Sequence, residues 1–195
     1  SLWIGTSDGG LNQYDVRTGE FKRFIHNTSS QNSLSDNHIT YIYEDSENNL
    51  WVGTVKGLNR FNRQTSQFTR FTDGNVNLEK ANNISTILEE EKGVLWIGTK
   101  EQGLKRLVVK TAKFDSFRRN DSVKKSLSHD NITAMIKDKN GILWVGTENG
   151  LNKFDQKTQT FFTFNECVNG LPCLSHNNIK SIFESSRGEL WVGTK

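Results

Sequence analysis

The stretch Leu50-Trp51-Val52-Gly53-Thr54 decides the fold, because four further copies of this Leu-Trp-(Ile/Val)-Gly-Thr motif occur in the chain. The other copies contain all the remaining tryptophans, Trp3, Trp96, Trp144 and Trp191. Successive tryptophans are separated by 48, 45, 48 and 47 residues. A fixed period of about 20–50 residues is typical of proteins that repeat one supersecondary unit, so we expect a repeat architecture.

Each period contains four segments with the residue pattern of β-strands, named A to D. Segment A has apolar residues on both faces, as in residues 39–43, and segment B is the tryptophan motif. Segment C begins with Gly-Leu-Asn or Gly-Leu-Lys, and segment D is Phe-x-x-Phe. Turn pairs such as Asn140-Gly141 separate A from B, which indicates a β-hairpin.

Four-stranded antiparallel units at this period predict an all-β fold, a β-propeller whose neighbouring blades bury both faces of each sheet. About four repeats are present. Because the sequence starts and ends at segment B, we expect an arc of a larger propeller, or a chain that needs a partner for its open edges. The expected blades are a partial blade at 1–24, blades at 39–71, 84–117 and 132–164, and a partial blade at 179–195. All five motif tryptophans are expected to be packing residues.

Composition excludes several classes of function. The chain has 25 Lys and Arg against 22 Asp and Glu, a net charge of +3 over 195 residues, which does not indicate a nucleic-acid or membrane partner. No apolar run approaches the 18 or more residues of a membrane-spanning helix, and residues 1–25 lack a signal-peptide pattern. Cys167 and Cys173 lack metal-ligand spacing, so we expect no metal or cofactor; in an oxidising compartment they can form a small local disulfide.

Segment spacing varies only in two kinds of loop. From the first Ile of A to the Trp of B the count is twelve in every hairpin, as from Ile39 to Trp51, whereas the B–C and D–A loops differ in length. Both of these loops emerge on one face of a four-stranded meander, named here the loop face. Variable loops on a rigid scaffold commonly carry binding residues, so we predict a ligand site on this face.

The D–A loops are rich in amides and hydroxyls, which suits a hydroxyl-rich ligand such as an oligosaccharide. The third of these loops is basic, which suits a carboxylate or sulfate group on such a ligand. The two histidines at one repeat position are expected at equal height on adjacent blades. The alternative is that such loops are merely solvated and that polar residues at a strand start only form hydrogen bonds to backbone groups. The candidate ligand-binding residues are His38, Arg118, Arg119, Lys124, His129, Asn131, His176 and Asn178.

No GxSxG, HExxH, P-loop or GxGxxG motif occurs in a suitable context. We therefore expect a non-enzymatic binding module. The alternatives are a protein-interaction or dimerisation scaffold and, less favoured, a propeller lyase or hydrolase that uses His129 and His176.

The full repeat, clearest at residues 127–164, resembles the two-component-regulator propeller repeat family. This resemblance implies the periplasmic sensor region of a bacterial hybrid two-component histidine kinase, an inner-membrane sensor. It also implies further propeller repeats and a kinase module in the parent protein, and recognition of polysaccharide breakdown products. Residues 88–92 and 105–107 depart from the family pattern and predict less regular strand pairing there.

Overall fold

The computed structural model describes residues 1–72, 83–166 and 173–195, which form seventeen β-strands in five antiparallel sheets and no helix. The all-β prediction is therefore confirmed. Sheet 1 contains β1 (Leu2–Gly5), β2 (Leu11–Tyr14) and β3 (Phe21–Phe24). Sheet 2 contains β4 (Ile39–Glu44), β5 (Leu50–Thr54), β6 (Gly57–Asn62) and β7 (Gln67–Phe71). Sheet 3 contains β8 (Ile84–Glu91), β9 (Val94–Thr99), β10 (Leu104–Val108) and β11 (Lys113–Phe117). Sheet 4 contains β12 (Ile132–Lys137), β13 (Leu143–Thr147), β14 (Gly150–Asp155) and β15 (Thr160–Phe164), and sheet 5 contains β16 (Ile179–Glu184) and β17 (Leu190–Thr194).

The strands of sheets 2, 3 and 4 follow chain order, so segments A to D become four adjacent strands. The A strands β4, β8, β12 and β16 contact one another in succession from sheet to sheet. They therefore form the inner edge of a row of blades, and the D strands form the outer edge. This is the architecture of a β-propeller.

The hydrophobic core lies between the sheets rather than within one of them. The forward face of a sheet presents the Trp of B, the Leu of C and the second Phe of D, and it packs on the backward face of the next sheet. The backward face presents the Leu and the Val or Ile of B, an apolar residue of C and the first Phe of D. Between sheets 1 and 2 this cluster contains Trp3, Leu11, Phe24, Leu50, Val52, Phe61 and Phe68, with Leu34 from the D–A loop.

The motif tryptophans differ in burial along the row. Trp51 and Trp96 are 0% and 2% exposed, and Trp3 and Trp144 are half-buried. Trp191 is 63% exposed, so its expected packing role stays a prediction. The reason is that the described residues place no following sheet against the forward face of sheet 5.

The glycine of the motif provides space for the next inner strand. A Cβ atom on Gly53 would lie 2.7 Å from Cγ2 of Ile84, the first residue of β8. Gly98 has the same relation to Ile132, also at 2.7 Å. Because real Cβ atoms do not approach so closely, the inner strands can pack at this distance only against a glycine.

Sheet 3 shows one of the two expected irregularities. The pairing of β8 with β9 has an extra register shift between Glu89 and Glu91. The expectation for residues 105–107 is wrong, because β10 pairs regularly with both neighbours from Leu104 to Val108. Leu107 takes the position of the usual aromatic residue and lies opposite Phe114. Cys173 is disulfide-bonded, whereas Cys167 lies outside the described residues.

Candidate functional site

The B–C and D–A loops meet on the loop face through backbone hydrogen bonds. The N–H of Gly10 donates to the carbonyl of Asn37 at 3.0 Å, and the N–H of Gly103 donates to the carbonyl of Asp130 at 2.8 Å. Gly10 has a φ of 77°, and a Cβ there would collide with the carbonyl oxygen of Phe24. Glycine is therefore required at this corner of segment C, where the two loops are joined.

A repeated Ser-Leu-Ser segment anchors the D–A loops of sheets 1 and 3. In the third loop Leu127 is 1% exposed, inside the core between sheets 3 and 4. The N–H of Ser128 donates to Oδ1 of Asn152 at 3.1 Å, and its hydroxyl lies 2.9 Å from Oγ1 of Thr147. The first loop repeats this arrangement. Leu34 is buried, and Ser35 hydrogen-bonds to Asn59 and Thr54.

Asn59 and Asn152 are fully buried and position the loops, a role that the sequence analysis did not assign. The signal was present, because Ser-Leu-Ser recurs at residues 33–35 and 126–128 and the Asn follows Gly-Leu in segment C. A buried amide must have hydrogen-bond partners. The side-chain NH2 group of each Asn donates to a carbonyl of its own sheet and to the hydroxyl of the loop serine, and its Oδ1 accepts the N–H of that serine.

Among the described residues, the first, third and last D–A loops are each closed at the base by one side-chain acceptor. Oδ1 of Asn37 accepts the N–H of His26 at 2.6 Å, and Oδ1 of Asp130 accepts the N–H of Arg119 at 2.7 Å. Asn177 closes the last loop in the same way, on the N–H of Glu166 at 2.6 Å. The loops are therefore preformed by their own polar groups.

The predicted histidines have equivalent geometry in adjacent sheets. Nδ1 of His129 accepts the N–H of Asn131, and Nδ1 of His176 accepts the N–H of Asn178, both at 3.0 Å. In a neutral ring the proton then lies on Nε2, which has no partner among the described residues for either histidine. Each ring thus fixes the backbone at a strand start and retains one free donor.

The predicted basic residues of the third loop lie at its outer end, where it leaves β11. Arg118 pairs with Asp130 at 3.2 Å, and Arg119 pairs with Asp121 at 2.8 Å. Lys124 is exposed further along the loop. Because both guanidinium groups are neutralised within the loop, these residues do not form a free cationic cluster beside the histidines.

Polar residues occupy two fixed positions at the inner edge of the loop face, and we call them together the inner rim. One position directly precedes each inner strand, and the other is the second strand residue, where the A–B ladder has a register shift. Bulges of this kind redirect a side chain and often lie beside functional sites. The inner rim consists of His38, Asn83, Asn131 and Asn178 at the first position and Thr40, Ser85, Thr133 and Lys180 at the second.

Several inner-rim atoms have no hydrogen-bond partner in the described part of the chain. They are Oγ1 of Thr40, Oγ of Ser85, Oγ1 of Thr133 and the Oδ1 atoms of Asn83 and Asn178, all of them buried. An unsatisfied buried polar group costs about 1–3 kcal/mol. Unpartnered polar atoms recur at the same repeat positions in successive sheets, so they are a structural property of the rim rather than a local defect.

The opposite face is formed by the A–B and C–D turns, and we call it the turn face. Hydrogen bonds within the turns close it. The indole Nε1 of Trp51 donates to Asp45 at 2.7 Å, and that of Trp144 donates to Asp138 at 2.9 Å. Burial disfavours the charged form of Asp45, but the hydrogen bonds from Trp51 and Asn49 outweigh burial and lower the pKa of Asp45. These carboxylates therefore stay ionised as acceptors.

A cleft of about 930 Å³ opens on this opposite face between sheets 3 and 4. Two of its charged side chains are engaged, since Glu90 pairs with Arg106 at 2.5 Å and Nζ of Lys137 donates to the Glu90 carbonyl. We therefore favour the loop face over this cleft as the functional surface.

The described residues contain no group of three or more His, Cys, Asp or Glu placed to hold a metal ion. None of them forms a helix able to cross a membrane.

Four segments of the chain match the family model described as "Two component regulator propeller", at residues 33–56, 79–101, 126–149 and 173–195. Each match spans the end of a D–A loop and the A–B hairpin, and three of the four include the anchoring Ser beside the inner rim. Among curated protein sequences, none matches this chain.

Solved structures show the same architecture. The extracellular domain of a hybrid two-component system from B. thetaiotaomicron is 26% identical with a TM-score of 0.71, over 98% of this chain and 30% of that one. The extracellular domain of another such system from this organism is 25% identical with a TM-score of 0.80, over 98% of this chain and 24% of that one. PorZ, a surface component of the type-IX secretion system of Porphyromonas gingivalis, is 18% identical with a TM-score of 0.72, over 99% of this chain and 29% of PorZ, and shows the fold alone. The chain thus spans less than a third of each of these proteins.

Proposed function

Since the repeats of this chain belong to the two-component regulator propeller family, we propose that the chain is a ligand-sensing segment of a bacterial hybrid two-component sensor. In this proposal it lies in the periplasm, within the extracytoplasmic part of an inner-membrane protein. Further propeller repeats and a histidine kinase module belong to the same parent protein. The likeness to two extracellular domains of hybrid two-component systems supports this location.

The proposed ligand is an oligosaccharide bound at the inner rim. The observation that carries this proposal is the bulge at the loop-face end of each inner strand, which sets a polar residue at the same height in four successive sheets. Amide and imidazole groups of the rim can both recognise sugar hydroxyls. A preformed polar surface of this kind loses little conformational entropy when it binds.

One rim residue favours an acidic sugar. Lys180 stands where the other sheets have Thr or Ser, and its exposed ammonium group has no ion-pair partner among the described residues. The donor on Nε2 of His176 belongs to the same sheet. A carboxylate-bearing saccharide would therefore bind with its acid group toward sheet 5.

A binding role fits the ionisation of the carboxyl groups better than a catalytic role does. A general acid needs a raised pKa at neutral pH. Among the described residues, the three carboxyl groups with shifted pKa values, Asp45, Asp138 and Asp155, all have lowered values and lie on the turn face. We therefore propose a non-enzymatic segment.

Calorimetry of the 195-residue chain against neutral and uronate-bearing oligosaccharides tests this proposal. Asn131→Ala removes a rim amide and should weaken binding about 3- to 10-fold, the effect of one hydrogen bond. Asn140→Ala makes the same change in the A–B turn of the same sheet and should leave affinity unchanged. Absence of binding by every saccharide at millimolar concentration, or equal weakening by both variants, would refute the proposal.

A further inference from the structure

The motif tryptophan of sheet 3 differs from those of sheets 2 and 4 in its hydrogen bonding. In sheets 2 and 4 the indole Nε1 donates to the carboxylate of an Asp six residues earlier, at 2.7 and 2.9 Å. Trp96 has Glu90 at that position, and its own Nε1 has no hydrogen-bond partner in the described part of the chain. Sheet 3 therefore does not supply the acceptor that the two other sheets supply.

Glu90 makes contacts with other residues instead. Its Oε2 accepts a hydrogen bond from Nε of Arg106 at 2.5 Å, and its Oε1 lies 3.5 Å from Nε2 of Gln156 in the C–D turn of sheet 4. Its backbone carbonyl accepts Nζ of Lys137 on β12. Glu90 is also the extra residue at the register shift in the β8–β9 pairing. It thus joins sheet 3 to sheet 4 and does not close its own turn around the tryptophan.

The unpartnered N–H opens into the cleft between sheets 3 and 4 on the turn face. Trp96 lines this cleft although it is only 2% exposed. Its Nε1 is not one of the fully enclosed polar atoms that lack a partner, so the N–H reaches the cleft. Leu143 and Phe154 of sheet 4 also line it and belong to the cluster that packs on Trp96. The base of the cleft is therefore apolar, with one hydrogen-bond donor in it.

Both walls of this part of the cleft are complete four-stranded sheets. Further repeats at either end of the row would pack on other sheets and would leave the space between sheets 3 and 4 as it is.

The charges around the donor favour one negative charge on an occupant. Lys137 and Lys157 of sheet 4 line the cleft, and Lys157 is exposed with no ion-pair partner among the described residues. Glu91 of sheet 3 lines it as well and is exposed. One carboxylate can approach the indole and the lysines, whereas each additional negative charge is repelled by Glu91.

We propose that this cleft binds an organic acid with one carboxylate and an apolar body. The carboxylate takes the place that Asp45 and Asp138 have beside their own tryptophans, and it accepts the N–H of Trp96. An ionised acceptor forms a stronger hydrogen bond than a neutral one. The apolar body lies against Leu143 and Phe154. This site is separate from the inner rim, because the rim lies on the loop face and offers polar groups to a saccharide.

Titration of the isotope-labelled chain with phenylacetate at neutral pH, followed by NMR of the assigned indole N–H signals, is the primary test. We expect the Trp96 signal to move downfield and to saturate in the millimolar range, as expected for so small a ligand. The signals of Trp51 and Trp144 should stay in place, because their N–H groups already donate to Asp45 and Asp138. The neutral analogue phenylacetamide should bind about five- to tenfold more weakly, the difference between a charged and a neutral acceptor.

Removal of one negative charge gives a matched pair of variants. Glu91→Gln should tighten phenylacetate binding about two- to threefold, because it removes a repulsion beside the cleft. Glu47→Gln makes the same change at an exposed residue in the A–B turn of sheet 2 and should leave the affinity unchanged. A Trp96 signal that does not respond in the wild-type chain, or equal binding of phenylacetate and phenylacetamide, would overturn the proposal whether or not the variants fold. Equal effects of the two Gln substitutions would overturn it as well.

Discussion

At the scale of single residues, the turn face depends on carboxylates that serve as hydrogen-bond acceptors. Asp45 accepts hydrogen bonds from the backbone of Glu47 and Asn49 and from the indole of Trp51. The side chain therefore closes the A–B turn and orients the tryptophan of the next strand. Asp138 makes the corresponding contacts in sheet 4, with a lowered pKa as well.

Replacing Asp45 with Asn should destabilise the chain at pH 7 by about 1.5–3 kcal/mol, the value of hydrogen bonds to a charged group. The pKa of Asp45 is lower in the folded state than its ordinary value of 3.8. Its stabilising contribution is therefore complete above pH 3.8 and is lost as the pH falls through the folded pKa. Denaturant unfolding of wild type and Asp45→Asn at several pH values checks this, and the difference should shrink toward pH 2. A difference independent of pH would contradict the role given to the carboxylate.

Sequence alone predicts some residue roles and not others. The packing of Trp51 and Trp96 follows from a repeated large apolar residue in a strand, and the burial of Asn59 follows only when the loop that satisfies its amide is seen. The ion pairs of Arg118 and Arg119 join residues two and twelve positions apart on one loop. Sequence places such residues in a polar loop, but it does not decide whether their charges face a ligand or each other.

At the scale of elements, the first and third D–A loops are structured connections. Each leaves the outer strand of one sheet, inserts a leucine into the core between sheets, and hydrogen-bonds to the Asn and Thr of the next sheet. In the third loop the carbonyl of Lys125 also accepts the N–H of Phe161 at 2.8 Å, which covers part of the outer strand of sheet 4. A rigid loop of this kind can present its polar residues in a fixed arrangement.

Leu127→Ala tests this anchoring, and it should destabilise the chain by about 2–5 kcal/mol because it opens a cavity in the core. Val123→Ala makes a similar truncation in the same loop at a residue that is 48% exposed, and its effect should stay within about 0.5 kcal/mol. Chemical denaturation measures both. Equal effects of the two substitutions would show that the leucine does not hold the loop in the core.

At the scale of the whole molecule, stability is shared among neighbouring sheets, as in other repeat proteins. The Trp period and the hairpin turns were sufficient to predict the propeller, because each repeat carries the same alternation of strands and turns. Burial was less predictable. The motif of β17 is identical to that of β5, yet Trp191 is exposed where Trp51 is buried, because burial depends on the sheet that follows and not on the motif.

The inner rim is likewise a property of the assembled sheets. Sequence placed His38, Asn131 and Asn178 among the candidates, but Thr40 and Thr133 were not among them because they lie inside apolar strands. Their importance depends on the bulge, which is visible only as a shift in strand pairing. The rim therefore combines the last residue of each D–A loop with the second residue of the inner strand that follows it.

Hydrogen–deuterium exchange of the chain with and without a saturating oligosaccharide tests the central claim most directly. We predict slower exchange on the loop face, at residues 36–40, 129–133 and 176–180, with unchanged exchange in the A–B turns at 45–49 and 138–142. Protection confined to the A–B turns, or no protection with a ligand that demonstrably binds, would contradict the account.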